Sequence, residues 1–231
     1  MNPQNVILTQ EMLAQVEQAF NTSTGTLITN VESIPIMQQD LIRLQGLTWL
    51  NDNIINAYMQ LINRRSEEKE NHLQPRVCAF NTFFLQSLSK SGYSKVKKWT
   101  KGKNIFSYDM VLIPVHLTNH WCLAVIDFRS KTIKYYDSLG GENWDCLKTL
   151  LDYLSQEITD KQQGKLNQDE WRLKCLKDLP QQKNHSDCGV FVCKFADYVA
   201  RDAPINFTQH DMPYFRKRIA IEILNGKLME N

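Results

Sequence analysis

The sequence predicts an α+β fold, because helical patterns at both ends bracket three consecutive β-rich runs. The runs are Met110–Leu117, His120–Arg129 and Lys131–Leu139. Only a tight turn near Arg129-Ser130 separates the last two, which marks an antiparallel hairpin. No internal repeat or linker divides the 231 residues, so one domain over 1–231 is expected.

Each element has its own local reason. Thr9–Phe20 has helical periodicity and stops at the turn-forming Thr22–Gly25, giving an N-terminal helical segment within 1–25. Leu27–Ile36 is β-rich and ends around Pro35, and Met37–Gln45 reads as a short helix. Asn51 and Asp52 are polar caps for a helix running to about Arg65, with Ile54, Ile55, Tyr58, Leu61 and Ile62 on one stripe. The polar stretch 66–74 is expected to be a flexible loop. Phe80–Leu88 reads as a buried helix closed by Ser91-Gly92. After the β runs come a helix from about Asn143 to Thr159 and a short edge strand over Trp171–Leu176. Gly189–Arg201 is apolar almost all round, hence a buried helix, and Thr208–Leu228 is a final amphipathic one.

Composition narrows the class. With 42% hydrophobic and 23% charged residues the chain is globular, and a net charge of +2 gives it no electrostatic address for nucleic acid or an anionic membrane. No window approaches the roughly 18 unbroken apolar residues of a membrane span. The N-terminus has no basic segment followed by an apolar one. The six cysteines contain no CxxC and show no zinc-ligand spacing with His, so neither a metal nor a disulfide framework is expected. A reducing, intracellular compartment is the reading that follows. Lys95, Lys97, Lys98, Lys101 and Lys103 around Tyr93 and Trp99 could bind nucleic acid, but a solvated basic face fits the near-neutral balance better.

One cysteine stands apart. Cys188 directly precedes the buried helix, where the dipole and the free N–H groups favour a thiolate, and its N-terminal neighbours are polar. Most cysteines are small core residues, and Cys193 inside the same helix fits that description. A thiolate needs a base and the base an orienting group. His120 opens one β run and Asp137 closes the next. If Phe128 pairs with Lys131, register numbers sum to 259 and His120 faces Leu139. Asp137 then lies two residues along, one side-chain period away on the same face. His116 and His185 are rival bases without so natural a carboxylate partner. Gln181 and Gln182, shortly before Cys188, are equal candidates for an oxyanion donor.

The order His–Asp–Gln–Cys, in His120-Trp121, Tyr136-Asp137-Ser138, Gln181-Gln182 and Asp187-Cys188-Gly189, resembles the SUMO-specific (sentrin-specific) cysteine proteases, animal deSUMOylating branch. Trp49-Leu50-Asn51-Asp52, Phe80–Phe84, Ile205–Gln209 and Met212–Arg218 are similar too, so the resemblance covers most of the chain. It implies a papain-like fold with a mostly antiparallel central sheet flanked by helices, and a triad of His120, Asp137 and Cys188. It makes Gln182 the oxyanion residue. Trp49 and Trp121 would wall a narrow tunnel over the modifier's Gly-Gly, where flat indoles leave room for backbone alone. Asp52 and Phe83 match positions that touch the modifier.

The implied activity is thiol-dependent cleavage after the C-terminal Gly-Gly of SUMO, removing it from lysines and maturing its precursor. The implied partners are SUMO and its conjugates, met by a monomer without cofactor in the nucleus, at its envelope or pores. A same-fold protease for another ubiquitin-like modifier and a non-catalytic modifier-binding module are the alternatives. Such enzymes are often directed by N-terminal extensions, which would lie outside this chain. One departure is His185, where close relatives usually have Gly.

Overall fold

The computed structural model describes residues 6–68 and 74–230. Thr9 caps helix α1 (Gln10–Phe20), accepting from the Met12 N–H at 3.2 Å. The β-rich run that follows is a hairpin of β1 (Leu27–Val31) and β2 (Ile34–Met37), turning at Glu32 with φ 52°. After the short α2 (Gln38–Leu41), Asn51 caps α3 (Asp52–Glu67) by accepting from the Ile54 N–H. This helix runs into the segment expected to be a loop, aided by an Arg64–Glu68 pair one turn apart. Residues 69–73 of that expected loop lie outside the described residues.

Strand β3 (Val77–Ala79) escaped the sequence reading because three residues, all buried, show no period. Phe80 still pairs like a strand, donating to Leu112 O at 2.8 Å, so α4 (Phe83–Ser91) starts later than the pattern suggested. Next come α5 (Tyr93–Val96), β4 (Met110–Leu117), β5 (His120–Asp127), β6 (Thr132–Tyr136) and α6 (Trp144–Asp160). Strand β7 (Arg172–Cys175), α7 (Cys188–Val199) and α8 (Met212–Asn225) complete the order.

The main sheet runs β3-β4-β5-β6-β7, antiparallel at its centre, with β3 and β7 joining in parallel at the edges. Its central strands are buried on both faces, which is why they read as apolar runs without polar alternation. Along β5, Trp121, Leu123 and Val125 enter one core, with α1, α3, α7 and α8; Cys122, Ala124 and Ile126 enter the other, with α4 and α6. All six cysteines are free thiols.

Two details matter for the site. The turn from β5 to β6 has four residues, 128–131, so Leu123 pairs with Tyr136 and Asp127 with Thr132, the expected sum of 259. Asp127 Oδ1 accepts from the N–H groups of Arg129 and Ser130 and shapes that turn. Helix α7 is fixed by Phe191 and Phe195 in the first core, each worth roughly 1.5–3 kcal/mol of burial. It also carries two fully buried charges that its apolar pattern concealed. Lys194 Nζ donates to Asp197 Oδ2 at 2.7 Å and to the Tyr58 hydroxyl at 3.0 Å, and Arg65 reaches Asp197 from α3. Burial raises the Asp197 carboxyl, but Lys194, Arg65 and Arg201 outweigh it and hold the group well below the usual carboxylate range.

Candidate active site

His120 is the first residue of β5 and Asp137 follows the last of β6, so both stand at one end of the sheet, on one face. His120 Nε2 and Asp137 Oδ1 are 2.5 Å apart. The carboxylate is set by a cradle: Oδ1 accepts from the Leu139 N–H at 2.8 Å and Oδ2 from the Gly141 N–H at 3.1 Å. A Cβ on Gly141 would stand 2.5 Å from Asp137 Oδ2. Gly141→Ala is therefore expected to displace Asp137 and cut kcat by about a hundredfold. Steady-state turnover checks this, and an unchanged kcat would show that the cradle is dispensable.

With Nε2 engaged by Asp137, Nδ1 is the ring nitrogen left for a second partner. The thiols of Cys122 and Cys188 both act on the ring and favour its charged form. Cys188 starts α7, where its N–H is among the first-turn donors without a helical acceptor. Cys122 lies in mid-strand, fully buried, and burial raises its thiol despite the pull of His120, so it stays neutral. The sequence reading overlooked Cys122 as a neighbour, although strand alternation places residue 122 on the face of residue 120. His120, Cys122 and Asp137 offer three ligand-type atoms within 4.8 Å of one another. A zinc ion held by both His120 and Asp137 would stand about 2 Å from each. Tetrahedral coordination would hold those two ligand atoms about 3.3 Å apart, whereas His120 Nε2 and Asp137 Oδ1 stand at the hydrogen-bond distance of 2.5 Å.

Burial pulls the His120 imidazole towards neutrality, but the Asp137 carboxylate, with the Cys122 and Cys188 thiols, overrides this and pushes its pKa up to about 12. Burial raises the Asp137 carboxyl; His120 and the two backbone N–H groups outweigh it and hold the pKa below the ordinary 3.8. The pair's contribution to stability is therefore present above about pH 4, where Asp137 is ionised even when unfolded. It is whole below about pH 6.5 and fades as pH rises towards the folded value of His120. Thermal melts should show the Tm gap between the native protein and Asp137→Asn widest from about pH 4 to 6.5, narrowing above. A gap constant from pH 5 to 9 would contradict the ion pair.

The two glutamines have different surroundings. Gln182 is buried, and its Oε1 accepts from Ser138 Oγ at 2.8 Å while Nε2 donates to Asn184 O at 2.7 Å. Gln181 is exposed and its amide donates to Leu179 O. Ser138 therefore fixes which end of the Gln182 amide faces the loop before Cys188. Its place beside Asp137 was visible in sequence, its role was not. Gln182→Ala is expected to lower turnover by about a hundred- to a thousandfold with little change in binding; a pure binding defect would contradict an oxyanion role.

The rival histidines are elsewhere engaged or exposed. His116 is exposed and stacks on Trp121, centroids 4.1 Å apart, and His185 is exposed. Trp121 is only 5% exposed and donates through Nε1 to Leu50 O at 3.1 Å, whereas Trp49 is 42% and Phe83 49% exposed. Asp52 opens α3 and is partly exposed. In the basic stretch, Tyr93 hydrogen-bonds Glu157 at 2.8 Å and Trp99 packs edge-on against Phe84, so both aromatics are committed inward rather than offered to bases.

A thiol at a helix start, an imidazole and a buried carboxylate, with an oriented amide alongside, define a cysteine peptidase centre. Residues 48–228 match the model of the Ulp1 protease family, C-terminal catalytic domain, and the chain belongs to that family. It is 47% identical over 217 residues to a sentrin-specific protease of Caenorhabditis elegans, covering 94% of this chain and 31% of that protein. It is 40% identical over 225 residues to human sentrin-specific protease 2, covering 96% and 38%. The chain thus spans about a third of the length of these relatives. Among solved structures it is similar to the C-terminal Ulp1 protease domain in complex with Smt3, the yeast ortholog of SUMO. That match has a TM-score of 0.83 at 34% identity and covers 95% and 96% of the two chains. The Chaetomium thermophilum Ulp1-like SUMO protease catalytic domain matches with a TM-score of 0.83 at 27% identity, covering 97% and 92%.

Proposed function

We propose that this chain is a single catalytic domain that cleaves after the C-terminal Gly-Gly of SUMO, from lysine conjugates and from its precursor. The observation that carries the reading is the 2.5 Å His120–Asp137 contact, with Cys188 at the start of α7 as the thiol that acts on the same ring. His120, held as imidazolium, stabilises a Cys188 thiolate. The thiolate attacks the carbonyl of the terminal glycine, and the oxyanion takes the Cys188 N–H and the second N–H of the Gln182 amide. His120 then protonates the leaving amine and accepts a proton from the water that hydrolyses the thioester.

Trp49 and Trp121 wall the slot for the glycines, and Asp52 and Phe83 touch the modifier's globular part. Phe83 and Trp49 suit that role by being large, apolar and exposed. The domain acts as a monomer without cofactor, and its place of action is the nucleus, its envelope or pores. A panel of ubiquitin-like modifiers carrying C-terminal electrophiles tests the reading. A SUMO adduct on Cys188 supports it; an adduct with a different modifier only would make the chain a same-fold protease of another pathway. No adduct at all would leave a modifier-binding module.

A further inference from the structure

Three consecutive carbonyls ahead of α3 are each held by a side chain. Thr48 O accepts from Arg216 Nη2 at 2.9 Å, Trp49 O from Arg43 Nη1 at 3.2 Å, and Leu50 O from Trp121 Nε1 at 3.1 Å. The exposed Trp49 ring has little burial of its own to fix it, so its position depends on this backbone clamp.

Arg216, on α8, stands where two segments meet. Its side chain is buried, 3% exposed. Nε and Nη2 both donate to Asp187 Oδ1, at 2.9 and 2.7 Å. Nη2 also reaches Ser186 O at 3.2 Å, and Nη1 donates to Arg43 O at 3.0 Å. The other Asp187 oxygen accepts from Asn184 Nδ2 and Gln209 Nε2, each at 2.7 Å. One rigid, planar cation therefore touches the residue before Cys188 and the backbone beside Trp49. Lysine, a point charge on a flexible stem, cannot reproduce that fork. Close approach of the same two segments is visible at Gly189, where a Cβ would lie 2.9 Å from Leu50 Cβ.

We propose that Arg216 is a positioning residue that sets the gap between Trp49 and Cys188, and so sets how strictly the slot admits only glycine. This rests on the slot reading above. An ion pair that merely stabilised the fold would change the amount of active enzyme, which scales cleavage of every substrate equally. A relaxed gap changes the ratio between substrates.

The test compares kcat/KM for SUMO-derived substrates ending in Gly-Gly and Gly-Ala, per active site counted by electrophilic-probe adduct. Arg216→Lys is expected to lower Gly-Gly cleavage by about ten- to a hundredfold, mainly in kcat, and to reduce the Gly-Gly over Gly-Ala preference by about tenfold. Should Arg216→Lys fold poorly, the Asp187→Asn, Arg216→Gln double variant removes both buried charges and should lose the same preference. Trp49→Ala is measured beside them. If Trp49→Ala keeps the native preference, the slot reading itself fails. If Trp49→Ala relaxes it while the Arg216 variants keep the native ratio, Arg216 is structural only and the proposal is overturned.

Discussion

Cys188→Ala is expected to abolish cleavage while still capturing the modifier. The thiol is 2% exposed at the first position of α7, a site alanine fills without disturbing Phe191 or Phe195 beneath it. Recognition on the proposed reading uses Trp49, Phe83 and Asp52. Loss of a nucleophile that acts as one unit with its base costs roughly a millionfold in turnover. Single-turnover cleavage and equilibrium binding together check this. Retained hydrolysis would move the nucleophile elsewhere, and a probe adduct mapped to Cys122 would place it on β5.

His120→Ala should fall almost as far, by about 10⁴-fold in kcat, because it removes both the cation beside the thiolate and the proton donor to the leaving amine. Asp137→Ala should fall less, about a hundredfold, since that carboxylate orients the ring and favours its charged form but transfers no proton. The two losses are measured under saturating substrate at one pH. Equal losses would contradict the division of labour. The Asp137 variant should also lose activity as pH rises sooner than the native enzyme, because the carboxylate is what raises the imidazole against burial.

Much of this was legible in the sequence where chemistry and periodicity coincided. The β5–β6 register followed from an even turn, and with it the meeting of His120 and Asp137. The helix starts expected at Thr9, at the Asn51-Asp52 caps and at about Asn143 fall within a residue of those observed. What escaped was short or tertiary. Strand β3 has no period over three residues, and the β1–β2 turn needs Glu32 at positive φ, which its residue type does not advertise. Lys194 and Asp197 read as minor interruptions of an apolar helix, because their partners Tyr58 and Arg65 are distant in sequence. Gln181 and Gln182 are chemically identical, and only Ser138 and Asn184 tell them apart. Arg216 was one residue of a basic segment, Arg216-Lys217-Arg218, on an amphipathic helix, and its five hydrogen bonds to four acceptors are made only in the fold.

The four-residue turn between the hairpin strands has a bearing on how such a chain can change over time. Side chains on a pleated ribbon obey an odd–even rule, so inserting or deleting a single residue there would swing the carboxylate to the opposite side from the imidazole. Point substitutions in the turn leave that arithmetic untouched, and lengthening by two preserves it. Evolution is thus free to vary the letters of this corner while being held to its parity.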